Sequence, residues 1–370
     1  MKPFIFSADS HVREPNTLFT EGLPASLQRH AIRTIREGDT LITRTEEKMI
    51  FKMRLTANPD FGGNQRLGIH NLQGRLVDME RDGIDAEIVF PSLGLWLYVV
   101  SDPEAELASC ELYNNWNSEY LSGNLDRFVR CGVLPVQNLA HTQIELRRIS
   151  AMGFTAAMLP SVTPAGIAKY NDPAWDPVFH LAGELGIVFV LHTGTGSENV
   201  IAERGPGAAV INYSLQMSDG ISSIMYLVAG GVLDRNPKAR VAVIECGASW
   251  LPALAERMDE VYVAHDIFVR PKLSMMPSQI ISRQVLASFQ HDRACIEARN
   301  IVGTHCFMFA SDYPHAEGTF PHTRSVVEHL FDDIDITEQE KLDILGGTAI
   351  KLFRLDNARA IQQVQHSIAA

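Results

Sequence analysis

The segment FIFSADSH, residues 4–11, decides the fold of this chain. A short apolar run ends there in Asp9 and His11, two potential metal ligands separated by one residue. Two later strand-like runs end in the same way: IVFVLHT at 187–193, with His192, and CFMFASDYP at 306–314, with Asp312. The carboxyl ends of parallel strands meet at one face of a barrel, so we expect these side chains to converge.

Eight strand-like runs, separated mostly by helix-like segments, predict an α/β fold. The runs are Phe4–Ala8, Ala86–Phe90, Arg130–Leu134, Thr155–Leu159, Ile187–Leu191, Arg240–Ile244, Val285–Phe289 and Cys306–Ala310. This alternation indicates parallel strands covered by helices, and eight units fit a closed (β/α)8 TIM barrel. A doubly wound open sheet is the alternative, although no GxGxxG motif follows the first run.

The chain of 370 residues is longer than a simple barrel requires. We expect a single barrel domain over residues 1–356, with an inserted segment at 30–73 and a C-terminal tail at 357–370 that is either a weak amphipathic helical extension or disordered. Within the insertion, RTIREGDTLITRTEEKMIFKM at 33–53 predicts a small hairpin. Loops of this length are usually lids or subunit contacts, so we expect the insertion to lie over the barrel mouth.

Composition narrows the class of partner. The chain has 44 acidic and 32 basic residues, and its formal net charge of −12 argues against nucleic acid. Its 5 cysteines are widely spaced and contain no CxxC pair, which fits reduced thiols in a cytoplasmic protein. The apolar runs are strand-sized, so we expect no membrane span, and the N-terminal run is too short for a signal peptide.

The ligand set predicts one divalent metal. In an extended strand, Asp9 and His11 point to the same side and can share an ion. A single histidine such as His192 is more often packed than ligating, and Asp312 alone could cap a helix or join a buried salt bridge. Four such residues at strand ends are explained more simply by one metal, Zn²⁺ with Mn²⁺ as the alternative. The fourth run, followed by MLPSVTP at 158–164, offers no lysine for a carbamylated two-metal site.

The chain resembles amidohydrolase-related family 2, which includes aminocarboxymuconate-semialdehyde, resorcylate and carboxyvanillate decarboxylases. The matching stretches are SADSHVREP at 7–15, GRLVDMERDGIDAEIVFPS at 74–92, WDPVFHLAGELGIVFVLHTG at 175–194, IECGASWLPALAERMDEVY at 244–262, FASDYPHAEGTFP at 309–321 and ILGGTAIKLFRL at 344–355. The resemblance implies a metal-dependent barrel enzyme, usually a homodimer, whose ligands are Asp9, His11, His192 and Asp312. Two positions depart from the family: Asp9 replaces a histidine or glutamate, and Glu245 stands where the decarboxylases have a catalytic histidine.

Three functions remain open at this stage. The first is a metal-dependent carboxy-lyase acting on a small aromatic or unsaturated carboxylic acid, which the resemblance favours. The second is a hydrolase of a small amide, ester or lactone that uses a metal-activated water, which Glu245 favours. The third is a degenerate barrel with a binding role. Either enzyme needs Asp312 to move a proton, with Glu245 and His315 as further acids or bases; His315 could equally be a second hydrogen-bonding partner behind the site.

Aromatic and basic side chains could complete a pocket for such a substrate. The candidates for its walls are Trp96, Tyr98 and Trp250, and those for a substrate carboxylate are Arg54, His70 and Arg75.

Overall fold

The computed structural model describes residues 3–54, 66–196 and 203–357, together with 360 and 362. In this part of the chain the strands are β1 Phe6–Ser7, β2 Arg33–Glu37, β3 Thr40–Arg44, β4 Met49–Arg54, β5 Ala86–Val89, β6 Phe128–Val133, β7 Ala156–Pro160, β8 Val188–His192, β9 Arg240–Ile244, β10 Val285–Phe289 and β11 Phe307–Phe309. β1 and β5 to β11 form one parallel eight-stranded sheet in chain order. Each of the eight predicted runs overlaps one of these strands.

The sheet closes on itself between its first and last strands. The Ala8 N–H donates to the Phe309 carbonyl at 2.9 Å, and the His11 N–H donates to the Tyr313 carbonyl at 2.7 Å. Between them, the Asp312 N–H donates to the Asp9 carbonyl at 3.1 Å. The predicted TIM barrel is therefore confirmed, and the open doubly wound sheet is wrong. We call this pairing of residues 8–11 with 309–313 the closing seam.

Helices cover the barrel. The α-helices of the described chain are α1 Leu18–Gly22, α2 Leu72–Asp82, α3 Pro103–Tyr120, α4 Leu139–Ala151, α5 Asp176–Leu185, α6 Ala208–Ala229, α7 Val232–Arg235, α8 Trp250–Ala264, α9 Pro277–Gln284, α10 Arg293–Glu297, α11 Thr323–Leu330, α12 Glu338–Leu342 and α13 Thr348–Phe353. Side chains of Asn71, Asp102 and Asn138 cap the N-termini of α2, α3 and α4, so the sequence itself marks where these helices begin. No described helix is long and apolar enough to span a membrane.

One buried acid lies between helix α3 and the loop that follows β6. Glu106 on α3 is fully buried, and its Oε2 accepts hydrogen bonds from the backbone N–H groups of Val136 and Gln137 at 2.9 and 2.8 Å. Its other oxygen, Oε1, has no hydrogen-bond partner in the described chain. Burial raises the pKa of Glu106 to about 8, so this side chain is a neutral acid in the folded protein at neutral pH.

The inserted segment carries a small antiparallel sheet of its own. β2, β3 and β4 pair in that order, so the segment forms three strands and not the expected hairpin. A tight turn adds the third strand: the Thr45 N–H donates to the Lys48 carbonyl, and the Thr45 hydroxyl accepts from the Lys48 N–H at 3.0 Å. Residues 55–65 of the expected insertion and most of the tail at 357–370 lie outside the described residues. The division of the chain at 356 stays a prediction.

Candidate metal centre

Four side chains meet at the carboxyl end of the barrel. Asp9 and His11 follow β1, His192 ends β8, and Glu245 follows β9 directly. One ligand atom from each lies within 4.8 Å of the others. Asp9 Oδ1 is 3.4 Å from His11 Nε2 and 3.7 Å from His192 Nε2, and Glu245 Oε2 is 3.5 Å from His192 Nε2. The barrel topology therefore brings distant segments of the sequence into one cluster.

The backbone fixes which nitrogen of each histidine faces the cluster. His11 Nδ1 lies 3.0 Å from the Pro91 carbonyl, and His192 Nδ1 lies 3.0 Å from the Thr193 carbonyl. A carbonyl oxygen only accepts, so each Nδ1 carries a proton and each neutral ring turns the lone pair of Nε2 inward. The two Nε2 atoms are 3.2 Å apart. Two lone pairs facing each other at this distance need a positive charge between them.

The pKa values of the two rings agree with the need for a positive charge between the two Nε2 atoms. Burial, with a contribution from the nearby His315, lowers the pKa of His11 to about 4, so His11 stays neutral. Burial also opposes charge on His192, but Asp9 and Glu245 outweigh it and raise its pKa. The surrounding carboxylates therefore favour a cation at the point where the two Nε2 atoms meet.

Carboxylate oxygens around the histidines lack partners. Both oxygens of Asp9 and the Oδ2 of Asp312 are buried, and none accepts a hydrogen bond within the described chain. Burial acts to raise the pKa of Asp9, but His11 and His192 hold it below its usual range, so Asp9 is an anion. Buried anionic oxygens are costly unless a cation compensates them. The donor set of imidazole nitrogens and carboxylate oxygens thus fits a divalent metal such as Zn²⁺ or Mn²⁺.

Asp312 joins the cluster from one side only. Its Oδ1 is 3.9 Å from His11 Nε2 and 2.7 Å from His315 Nδ1, and these three residues form a second group of close ligand atoms. Glu245, and not Asp312, is the carboxylate that lies against His192. A direct bond from Asp312 to the metal stays a prediction, and Glu245 is an equal candidate for that position.

Asp312 and His315 form a proton-carrying pair. Burial raises the pKa of Asp312, and although burial opposes it, the Asp312 carboxylate raises the pKa of His315. At neutral pH a proton therefore lies in the hydrogen bond between His315 Nδ1 and Asp312 Oδ1. The His315 side chain is 39 % exposed and stands at the edge of the site. It can exchange this proton with a bound molecule or with solvent.

Two of the three site carboxylates, Glu245 and Asp312, are held in a strained backbone conformation. Glu245 has φ of +61° and Asp312 has φ of +54°, the left-handed region that residues with a Cβ rarely adopt. Such a conformation costs about 1–3 kcal/mol and persists where surrounding structure enforces it, often at active sites. Burial raises the pKa of Glu245 to about 8, and the charge of Asp312 adds to the effect. Glu245 is thus a second group that can carry a proton beside the cluster.

A buried glutamate supports the loop that orients His11. Glu14 accepts hydrogen bonds from the N–H groups of Ser92, Leu93 and Gly94 at 3.1, 2.9 and 2.8 Å. This loop begins at Pro91, whose carbonyl receives the His11 Nδ1–H. Glu14 therefore fixes the position of the acceptor that sets the tautomer of His11.

A cavity of about 370 Å³ opens beside the cluster. His11, Glu245 and His315 form its floor, and side chains of the inserted sheet form the opposite wall: Thr34, Leu41, Thr43, Phe51 and Met53. Trp96 also lines the cavity and stacks on Phe51, with ring centroids 5.5 Å apart and an interplanar angle of 22°. This volume suits a small organic molecule.

The other sequence candidates lie elsewhere. Tyr98 and Trp250 are buried in the core, and Arg75 is buried in an ion pair with Glu87. Arg54 pairs with Asp39 on the surface, and His70 is exposed and does not line the cavity. The basic residue that does line it is Arg13, which the sequence analysis missed. The alternation that pairs Asp9 with His11 continues to Arg13 and would have indicated it.

Comparison with known proteins agrees with this architecture. The 2-amino-3-carboxymuconate-6-semialdehyde decarboxylase of Dictyostelium discoideum is 25 % identical over 293 residues, 76 % of each chain. An amidohydrolase from Mycobacterium avium subsp. paratuberculosis has a TM-score of 0.79 at 18 % identity, over 95 % of this chain and 100 % of that one. A 5-carboxyvanillate decarboxylase from Novosphingobium aromaticivorans, solved with bound manganese, has a TM-score of 0.70 at 16 % identity, over 95 % and 97 %.

Sequence comparison at the level of families covers most of the chain. A family model described as amidohydrolase matches residues 29–355, which include every barrel strand after β1. The structural likenesses support the same barrel over nearly the whole length. The chain therefore belongs to the amidohydrolase family, in agreement with its resemblance to amidohydrolase-related family 2.

Proposed function

We propose that the protein is a metal-dependent carboxy-lyase that removes CO₂ from a small aromatic or unsaturated carboxylic acid. One observation carries the proposal: His315, which shares a proton with Asp312, lines the cavity beside the cluster of inward lone pairs. A decarboxylase must hold a carboxylate and deliver a proton within reach of it. The relative from Dictyostelium discoideum, named as a decarboxylase, supports the same reaction.

The metal would be held by His11, His192, Asp9 and one of the carboxylates Asp312 and Glu245. When bound there, a divalent ion, Zn²⁺ or alternatively Mn²⁺, supplies a Lewis acid that binds the substrate carboxylate. The backbone carbonyls behind His11 and His192 keep both rings in the ligating tautomer. The chain itself contributes orientation and proton transfer.

The apolar wall positions the ring. Phe51 and Trp96 present stacked faces, against which a planar substrate can lie with its carboxylate towards His11. Leu41, Met53 and Leu93 surround the same space and exclude water from it. A low-polarity environment favours loss of charge from a carboxylate, because CO₂ needs less solvation than the anion it replaces.

The proton balance is simple. Asp312, recharged through His315, gives a proton to the carbon that bears the carboxylate, and a new C–H bond forms. The bond between that carbon and the carboxylate then breaks, its electron pair returns to the ring or double bond, and CO₂ leaves. Solvent returns the lost proton through the exposed face of His315.

The test combines elemental analysis with an assay of CO₂ release on a panel of phenolic and muconic-type acids. We expect one equivalent of Zn or Mn and CO₂ release by the wild-type protein. Asp312→Asn should retain the fold, measured by circular dichroism, and lose CO₂ release. Full activity of this variant would remove Asp312 from the reaction, and a metal-loaded wild-type protein that releases no CO₂ from any acid would refute the lyase.

Glu245 supports a second candidate, a hydrolase of a small amide, ester or lactone. Its carboxylate faces the cluster and its raised pKa suits a group that accepts a proton from an attacking water. Cleavage of such substrates by the metal-loaded protein, without CO₂ release, would favour this alternative.

We also propose a cytoplasmic homodimer. All five cysteines are free and buried, which suits a reducing compartment. Apolar side chains on α6 are exposed, with Val210 73 % and Tyr213 58 % accessible, and such a surface suits a contact with a second copy. Light scattering coupled to size-exclusion chromatography tests the dimer, and a monomeric mass would contradict it.

A further inference from the structure

We propose that Arg13 binds a second carboxylate of the substrate, so that the preferred substrates are planar dicarboxylic acids. This inference rests on the proposed function, because it assumes that a first carboxylate binds at the metal centre. It adds the substrate class and the residue that selects it.

The backbone after β1 carries Arg13 to the cavity. Beyond His11, the Val12 N–H donates to the Phe90 carbonyl at 2.9 Å and the Arg13 N–H donates to the Ile69 carbonyl at 2.8 Å. The environment of the side chains alternates along this segment: Val12 packs in the core, whereas His11 and Arg13 both line the cavity. Asp9, His11 and Arg13 therefore form a row on one side of the chain, with Arg13 outermost.

The guanidinium of Arg13 has no partner within the described chain. Neither a hydrogen bond nor an ion pair to another described residue engages it, although its side chain is half-buried. It is also the only lysine or arginine among the described residues that line the cavity. Most half-buried arginines of this protein are paired; Arg148, for example, binds Glu145 with two nitrogens. An arginine kept without a partner at a cavity wall is placed to bind a ligand anion.

The chemistry of arginine specifies a planar oxyanion. Its fork of N–H groups matches both oxygens of a carboxylate, and such bidentate pairs are among the stronger hydrogen bonds in proteins. The nearby acids are engaged elsewhere: Glu245 and Asp312 are turned towards the histidines, and Glu317, which also lines the cavity, interacts with the Tyr213 hydroxyl. A substrate carboxylate can supply the anion that Arg13 lacks.

The spacing fits a ring with carboxylates on two sides. An extended chain advances about 3.3 Å per residue, so the Arg13 backbone lies roughly 7 Å beyond that of His11. This is comparable with the distance across a benzene ring that carries two carboxylates. The stacked pair of Phe51 and Trp96 flanks the same cavity and supplies the face for the ring.

Calorimetric titration of the metal-loaded protein tests the proposal with benzoate, isophthalate and terephthalate. We expect at least one dicarboxylate to bind about tenfold or more tightly than benzoate, the gain that one charge-assisted bidentate contact provides. In Arg13→Met this preference should disappear while benzoate binds as before. Arg36→Met is the matched control, because Arg36 is exposed on β2 and bonds only to Gly38; it should keep the preference.

Two results would overturn the inference. Equal affinities for benzoate and both dicarboxylates in the wild-type protein would mean that no second anion is bound. This result does not depend on whether a variant folds, because it is measured on the wild-type protein alone. An equal loss for all three ligands in Arg13→Met would place Arg13 on the carboxylate that they share. Binding is measured without turnover, so a dicarboxylate preference in a protein that releases no CO₂ from any acid of the assay panel would refute the lyase and leave the role of Arg13 intact.

Discussion

Glu106 gives a prediction whose size follows from its surroundings. Its pKa is about 8 in the folded protein, raised from its ordinary value of 4.5 by burial between α3 and the loop after β6. At a pH between these two values, Glu106 has lost its proton in the unfolded chain but keeps it in the folded protein. The contribution of Glu106 to stability is therefore complete below pH 4.5 and declines as pH rises, until the decline ends near pH 8.

The magnitude is large for one side chain. Each unit of pKa difference is worth about 1.4 kcal/mol, so the free energy of unfolding should fall by about 1.4 kcal/mol per pH unit across this window and by roughly 5 kcal/mol in total. In Glu106→Gln the side-chain carbonyl still accepts from Val136 and Gln137, but nothing titrates. The variant places an amide N–H₂ where Oε1 has no partner, which costs about 1–3 kcal/mol at every pH.

Urea-induced unfolding at pH 5, 6, 7 and 8 measures the effect. We expect the wild-type protein to have the larger free energy of unfolding at pH 5. Before pH 8 is reached, Glu106→Gln should become the more stable of the two. Glu104→Gln is the control, since Glu104 lies on the same helix with 72 % of its side chain exposed and should follow the wild type. Parallel pH profiles for wild type and Glu106→Gln would refute the reasoning, because Glu106 would then titrate alike in both states.

The metal centre gives three further predictions. His192→Ala should lower metal occupancy, because it removes an inward Nε2; unchanged metal content by elemental analysis would argue against the site. Removal of the metal with a chelator should lower the melting temperature, and restoring it at about 100 times its dissociation constant should return about 2.7 kcal/mol of stability; an unchanged melting temperature would mean that no ion binds the folded state preferentially. Glu245→His restores the residue of the decarboxylases that the chain resembles and should raise CO₂ release from a phenolic acid, since histidine tolerates the positive φ better than most residues. A variant that only unfolds would show that Glu245 is structural.

The positions of the strands could be predicted from sequence because the barrel restricts which residues its strands can contain. Strands buried on both faces must be nearly continuous apolar runs, and β8 and β9 are recognisable for this reason. The same logic located Asp9, His11 and His192, because a polar residue that ends such a run must face the mouth. Local hydrophobicity is sufficient information for these features.

Other features depend on contacts that the sequence does not display. Helix α6 begins at Ala208, and its start is hard to recognise in the sequence because its first turns expose apolar side chains and lack the usual amphipathic pattern. Whether Glu245 or Asp312 lies nearer His192 depends on the directions of their side chains, which their positive φ angles set. Arg13 could have been found by extending the alternation of residues 9 and 11, but its lack of a partner is visible only in three dimensions.

The closing seam has a consequence for how the enzyme is made. Asp9 and His11 are synthesised well before residues 309–313, and the backbone bonds between the two segments cannot form until the last barrel strand has left the ribosome. Until then the emerging chain lacks Asp312 and has no closed barrel end in which Asp9 could be buried. A newly made chain should therefore bind its metal only after the last barrel strand has emerged, and the ion then links the first strand of the barrel to the last. A shortage of metal would weaken this junction first and leave the middle strands paired.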